Sequence, residues 1–249
     1  MGKTTKNTIV FLFLPFIFFS QVKEKENLYY NWFDQVVGQE HTGLYNGKQY
    51  VNLDVNRIYK GKHSFFLSDD AVTGSISYDG QVYYNVDMKY NLETDNVLVA
   101  LKPGAVASIL ELIRDKVDRF TIEDYSFIRI DGFEENNTLV NGFHQVLLEN
   151  TSYSLLKRHK KIRRKKIGNV GDNKLYFEFV SKNAYVLFAD GHYRRIKSKG
   201  DIMKMYPALK KVINQFYIKN KTLKKSNPDG FMQRLFKNII KESSPLKVV

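Results

Sequence analysis

The 249-residue sequence predicts an α+β fold: mainly an antiparallel β meander, sandwich or barrel-like, with a short N-terminal helix and helices segregated at the C-terminus. Three observations predict it. Apolar and polar residues alternate along residues 82–90, as in strands. Turn residues recur between short apolar segments, and helical spacing returns after residue 198. Because no break in composition divides the chain, we expect a single domain over residues 21–249, with its helical part at about 199–241.

The first 20 residues have the layout of a secretory signal peptide. Two lysines precede an apolar run at residues 9–19, which is too short to span a bilayer of about 30 Å. Ser20 is a small residue at the expected cleavage point, but Phe18 is larger than cleavage prefers, so an uncleaved anchor is the alternative. We therefore expect an extracytoplasmic protein, periplasmic or associated with the outer envelope, that is soluble after cleavage.

The first element of the folded part is predicted to be a short helix that packs on the sheet. Gly38 supplies a residue that tolerates the left-handed conformation at its end. The apolar residues that recur there at helical spacing are Leu28, Trp32, Phe33, Val36 and Val37. We expect Trp32, the sole tryptophan, to anchor the core.

Residues 72–101 predict three strands. Asp79-Gly80 marks the first hairpin. A two-residue loop would set Ser77 against Val82 and bury serines, so we predict a three-residue loop at residues 78–80. The predicted pairs are Ile76–Val82, Gly74–Tyr84 and Val72–Val86 in the first hairpin, and Tyr90–Val97, Met88–Val99 and Val86–Leu101 in the second, across a loop at 91–96.

Residues 105–122 fit two alternatives. A helical stripe would consist of Val106, Ile109, Leu110, Ile113 and Val117. Two strands would instead flank a turn at residues 114–116, with Leu110 and Leu112 in the first strand and Phe120 and Ile122 in the second. Further strands are expected at residues 127–130, 143–149, 153–156, 175–180, 184–188 and 192–196.

Helices are predicted to close the chain. Ser198 and Asp201 resemble a capping box. Asn227-Pro228 predicts a cap followed by proline at the first helical position. The apolar stripes are Leu209, Val212, Ile213 and Phe216 in the first helix and Phe231, Leu235 and Ile239 in the second.

The formal charge of +13 is unevenly distributed, because the excess of basic residues lies in the second half and the first half has an excess of acidic ones. Residues 151–249 contain 25 Lys+Arg and 6 Asp+Glu, whereas residues 1–150 contain 14 and 20. The two halves could simply neutralise each other, or the basic half could dock on an anionic membrane surface or an acidic envelope protein. Its densest part is predicted to be a long, positively charged loop between two strands. Its candidate contacts are Lys157, Arg158, Lys160, Lys161, Arg163, Arg164, Lys165 and Lys166.

A nucleic-acid partner is not expected, because an exported protein meets little nucleic acid and the basic run lacks interleaved aromatic residues. Candidate partner-facing aromatics lie elsewhere. The predicted hairpin register places Tyr83 off the apolar face and Tyr78 in the turn.

No motif in the sequence carries chemistry. The chain has no cysteine, its five histidines are scattered, and neither a metal site nor a cofactor is predicted. The nearby carboxylates Asp69-Asp70, Glu93 with Asp95, and Glu134-Glu135 lie at predicted turns, where they commonly cap. Carboxylates from distant strands could still assemble a glycosidase-like pair.

Several stretches resemble a family of exported Bacteroidetes-type proteins of unassigned activity. They are "VVGQEHTGLYNGKQY" (36–50), "GSISYDGQVYYNVDMKYNLETDNVLVAL" (74–101), "DRFTIEDYSFIRID" (118–131), the basic segment after "YSLLK" and "FADGHYRRIKSKGDIMKMYP" (188–207). The resemblance covers most of the mature chain through turn and core patterns. It favours strands over a helix at residues 108–122 and supplies no catalytic residue.

Together these observations predict an exported, non-enzymatic binding or scaffolding protein associated with the cell envelope. The alternative is a secreted hydrolase whose carboxylates are assembled from distant strands.

Overall fold

The computed structural model describes residues 42–101, 108–131, 134–135, 138–139, 141–150, 153–168 and 173–243. The predicted signal segment at 1–20 and the predicted N-terminal helix with Trp32 lie outside the described residues, as does His41.

Antiparallel strands dominate the described chain. They are β1 (Lys48–Gln49), β2 (Val72–Tyr78), β3 (Gln81–Asn91), β4 (Asn96–Leu101), β5 (Ser108–Glu111), β6 (Val117–Ile122), β7 (Tyr125–Ile130), β8 (Glu134–Glu135), β9 (Thr138–Leu139), β10 (Gly142–Glu149), β11 (Tyr153–Arg158), β12 (Lys161–Ile167), β13 (Leu175–Ser181), β14 (Ala184–Ala189) and β15 (His192–Ile196). The helices that follow are α1 (Lys199–Met205), α2 (Lys210–Lys219), α3 (Lys221–Ser226) and α4 (Pro228–Ser243).

Eleven strands form one sheet in the order β1-β5-β4-β3-β2-β6-β7-β10-β11-β14-β15. The chain meanders from β2 to β5 in one direction, returns to the other side of β2 as β6, and meanders onward to β15. The strands β12 and β13 form a separate two-stranded hairpin, and β8 pairs with β9. This architecture confirms the predicted α+β class with mainly antiparallel strands and C-terminal helices. None of the described helices is long and apolar enough to cross a membrane.

The predicted three-residue loop of the first hairpin is wrong. The turn contains two residues, Asp79 and Gly80, both with positive φ (53° and 80°), and Ser77 pairs with Val82. A bulge in β3 at Asn85, where φ is 54°, then inserts one residue into the strand. Asparagine tolerates this left-handed conformation better than most residues. The bulge places Val86 and every second residue after it on the buried face of the sheet. The core residues of β3 that follow the bulge are therefore buried even though the turn has only two residues.

The other local predictions hold closely. Tyr90 pairs with Val97 and Met88 with Val99 as predicted, but Asn91 pairs with Asn96, and the third predicted pair lies beyond the end of this ladder. Residues 108–122 form two strands, β5 and β6, around a 3₁₀ turn at Arg114–Lys116. The helical alternative is therefore wrong.

The predicted helix caps are also confirmed. Ser198 and Asp201 form a capping box at the start of α1. The side-chain oxygen of Asn227 accepts a hydrogen bond from the backbone N–H of Gly230 at 2.8 Å, which caps α4.

Among the described residues, two large hydrophobic cores and one small cluster of Ile130, Leu156 and Val186 support this sheet. The first packs aromatic rings from β3, β6, β7 and β10, with Phe120 and Phe127 stacked at a centroid distance of 4.7 Å. The second buries the apolar face of the helices against β10, β11, β14 and β15. The predicted stripe of α4, Phe231, Leu235 and Ile239, is fully buried in the second core.

Candidate functional site

The basic run does not form the predicted loop. Lys157 and Arg158 end β11, and residues 161–167 form strand β12. Although the segment is highly charged, its backbone pairs with β13 along the whole length of β12. Aromatic side chains of β13 also lie beside its cations, since the Arg163 guanidinium carbon is 4.8 Å from the Phe177 ring centroid. The loop prediction was wrong because composition does not show cross-strand neighbours.

Lys157 forms hydrogen bonds within the protein. Its Nζ donates hydrogen bonds to both carboxylate oxygens of Asp229 on α4, at 2.9 and 2.6 Å. The hydroxyl of Tyr185 on β14 donates to the same carboxylate at 2.6 Å. Burial, together with the Asp229 carboxylate, raises the pKa of Tyr185. This cluster ties the sheet to α4.

Lys161 and Arg163 anchor the β12–β13 hairpin. Lys161 Nζ donates to the backbone carbonyls of His63 and Phe65, at 2.9 and 2.7 Å, and burial lowers the pKa of this lysine. Arg163 donates two hydrogen bonds to Glu93 and a third, from Nη1, to Asp54 at 2.6 Å. These two basic residues bind the protein's own oxygen atoms rather than an outside partner.

Arg163 lies in a cleft of about 240 Å³ between the hairpin and the segment around residues 50–54. Three carboxylates, Asp54, Asp69 and Glu93, line this cleft, so the structure brings carboxylates from distant segments together, as the hydrolase alternative requires. Asp54 and Glu93, however, accept hydrogen bonds from the Arg163 guanidinium, and Asp69 is paired with Lys89. This arrangement clamps the hairpin to the body of the protein.

Apart from Arg163, which is exposed but ion-paired, four basic side chains of the run are exposed to solvent: Lys160, Arg164, Lys165 and Lys166. Beside them, Ile167 and Leu175 pair at the end of the hairpin where β12 leads into β13, with 71% and 44% of their surfaces exposed. Arg158 is half-buried at the end of β11. We call Arg164, Lys165, Lys166, Ile167 and Leu175 the hairpin tip. It combines cations with exposed apolar side chains on an anchored element.

Tyr78 and Tyr83 do not face a partner. Both are buried, at 1% and 2% exposure, so the prediction that they point outward is wrong. The two-residue turn places Tyr78 at the end of β2 rather than within the loop, and Tyr83 lies on the buried side before the bulge at Asn85. The register differs from the predicted one by one residue at the turn, where Ile76 pairs with Tyr83, and by a second residue beyond the bulge, where Gly74 pairs with Val86.

A buried polar cluster was missed by sequence reasoning. Asp95 accepts a hydrogen bond from the Tyr90 hydroxyl at 2.6 Å and another from the backbone N–H of Phe143 at 3.3 Å. Burial raises the pKa of Asp95. Asp95 was predicted to be a turn carboxylate, and it does follow β3 in the turn, but the turn folds inward onto β10.

Two histidines lie near this cluster. His144 Nδ1 donates to the Gly142 carbonyl at 2.9 Å, and His159 Nε2 donates to the side-chain oxygen of Gln145 at 2.7 Å. Burial lowers the pKa of each histidine to about 4, so both are neutral near pH 7. Within the described part of the chain, no group of three His, Asp or Glu side chains is placed to hold a metal ion.

Comparison of the chain with protein-family models, curated proteins and solved structures found no match.

Proposed function

We propose that the protein is an exported binding protein of the cell envelope that docks on an anionic membrane surface through the hairpin tip. The observation that carries this proposal is the composition of the tip. Three adjacent basic residues lie beside Ile167, whose side chain is largely exposed although it is strongly apolar.

Charge and apolar surface act together in such a tip. Each Lys or Arg near an anionic membrane surface contributes about 1 kcal/mol. An apolar side chain such as Ile167 contributes roughly 1–2 kcal/mol more when it leaves water for the interface. Glu178, the neighbour of Arg164 across the hairpin, is the one acidic residue in β12 and β13. The tip therefore keeps a strong positive charge.

The anchoring of the hairpin supports the same role. Lys161 and Arg163 fix β12 to the body of the protein through five hydrogen bonds to backbone carbonyls and carboxylates. A preorganised element loses less conformational entropy when it binds.

The test is binding to vesicles of phosphatidylcholine with and without phosphatidylglycerol. Replacing Arg164, Lys165 and Lys166 with Gln is expected to weaken binding to the anionic vesicles by roughly 10- to 100-fold. The matched control replaces Lys210, Lys211 and Lys219, exposed residues of α2, and removes the same charge. All variants carry the same N-terminus, so any contribution of residues 9–19 is common to them.

Equal losses in the tip variant and the control would show that only net charge matters, and the assignment to the tip would then be wrong. Failure of the wild-type protein to prefer anionic vesicles would overturn membrane docking. Binding to an acidic envelope protein would be the surviving alternative in that case.

A further inference from the structure

A second cavity, of about 330 Å³, lies on the helical side of the sheet and has an apolar floor. The floor is formed by Ile196 of β15 and by Phe231 and Met232 of α4, all buried members of the second core. The rings of Tyr185 and Tyr217 form its walls. Such a cavity, mainly apolar with a few polar groups at its edge, is typical of small-molecule sites.

Three lysines stand at the rim of this cavity: Lys197, Lys199 and Lys224. Two of them lie close to the same ring, with Lys199 Nζ 5.0 Å and Lys224 Nζ 5.1 Å from the centroid of Tyr217. Tyr217 in turn packs edge-on against Phe231 of the floor, at a centroid distance of 4.9 Å. The cationic rim and the apolar floor are therefore contiguous.

The rim charges have no carboxylate partner within ion-pair distance among the described residues. Two acidic side chains on the neighbouring helices already have partners. Asp229 is bound by Lys157 and Tyr185. Asp201 accepts the backbone N–H groups of Lys197 and Ser198 within the capping box. Three like charges around one cavity repel each other, and an anion between them would relieve that repulsion.

We propose that this cavity binds an amphipathic anion, with an alkyl or aryl tail on the floor of Phe231 and Met232 and an anionic head between Lys199 and Lys224. The rim of three ammonium groups favours a phosphate monoester over a carboxylate, because the phosphate monoester carries more negative charge near pH 7. This site shares no residue with the hairpin tip, so it stands or falls independently of membrane docking.

The first experiment compares four soluble probes by calorimetry: decyl phosphate, decanoate, decanol and inorganic phosphate. We expect decyl phosphate to bind most tightly, decanoate to follow, and the uncharged and tail-less probes to bind at least about tenfold more weakly than decyl phosphate. If decanol binds as tightly as decyl phosphate, the lysines are not used and the proposal fails. If inorganic phosphate binds as tightly as decyl phosphate, the apolar floor is not used and the proposal also fails.

A double variant locates the head group. Lys199→Gln with Lys224→Gln is expected to weaken decyl phosphate binding by about three- to tenfold and to leave decanol binding unchanged. Lys210→Gln with Lys211→Gln removes the same charge from exposed positions outside the cavity lining and is the control. Equal weakening in both variants would overturn the site.

Methionine methyl signals locate the tail. Met232 lies in the cavity floor, whereas Met88 is buried in the first core. In a protein labelled with ¹³C at the methionine methyl groups, decyl phosphate is expected to shift the Met232 signal and not the Met88 signal. An unchanged Met232 signal at saturating probe would contradict the assignment.

Discussion

Arg163 of β12 and Glu93, in the turn after β3, form a two-point ion pair, with Nε 2.8 Å from Oε1 and Nη2 3.0 Å from Oε2. This pair joins segments 70 residues apart in the chain and holds the hairpin against the body of the protein. A planar guanidinium is suited to this geometry, since it presents parallel donors to a carboxylate.

Removal of this clamp should loosen the hairpin more than it destabilises the whole protein. Because Arg163 is partly exposed, Arg163→Ala should lower the free energy of unfolding by only about 1 kcal/mol. Amide hydrogen exchange in β12 and β13 should accelerate. Arg164→Ala, one residue away and without a carboxylate within ion-pair distance among the described residues, is the control. Equal acceleration in both variants would contradict the clamp.

A glycine of β2 lies where two strands approach each other closely. A Cβ at Gly74 would overlap the backbone carbonyl of Thr121 on β6. Gly74→Ala should therefore lower the free energy of unfolding by about 2–3 kcal/mol, because the two strands must separate. Thermal unfolding measures this loss. Gly200→Ala in α1, where the nearest atom to the new Cβ is 3.3 Å away, should change stability little, and a comparable loss there would count against the packing argument.

Acid should destabilise the fold through His144 and His159. Their pKa values are lowered to about 4 by burial, from an ordinary value near 6.5. The unfolded chain therefore takes up protons first as pH falls. Stability should decrease from about pH 6.5 toward pH 4, by roughly 1–2 kcal/mol for each histidine at pH 5.

Asp95 acts with the opposite sign. Burial raises its pKa in the folded protein, so its protonation on acidification favours the folded state. The histidine contribution is isolated by comparing wild type with His159→Gln in denaturant titrations at several pH values. The variant should show a shallower loss between pH 6.5 and 4, whereas an unchanged slope would contradict the burial argument. His192→Gln, at an exposed position at the start of β15, is the control.

Much of the fold could be predicted from local patterns. Alternation in β3 and β4 gave the register of the second hairpin, and the side chains of Ser198 and Asn227 predicted where α1 and α4 begin. These signals are local because a strand face or a helix cap depends on residues close together in the chain.

The remaining features depend on contacts between distant segments. The bulge at Asn85 reverses which residues of β3 face the core. In the backbone it is marked by the positive φ of this one residue. The basic run forms a strand because Phe177 and Phe179 lie opposite it, and Arg163 meets Asp54 from 109 residues away. No pattern of residue spacing in the sequence indicates that β13 or Asp54 contacts the basic run. The sequence therefore predicted that the candidate site is basic, but it did not predict that the site is a β-hairpin.

The most direct test of membrane docking uses the absence of cysteine from the chain, which allows one environment-sensitive fluorophore to be attached at one introduced cysteine. Ile167→Cys labels the hairpin tip, and Ile218→Cys labels a matched apolar side chain on α2 that is 75% exposed. With vesicles containing phosphatidylglycerol, the label at position 167 should shift to the blue while the label at 218 stays unchanged. No shift at 167, or equal shifts at both positions, would contradict docking through the tip.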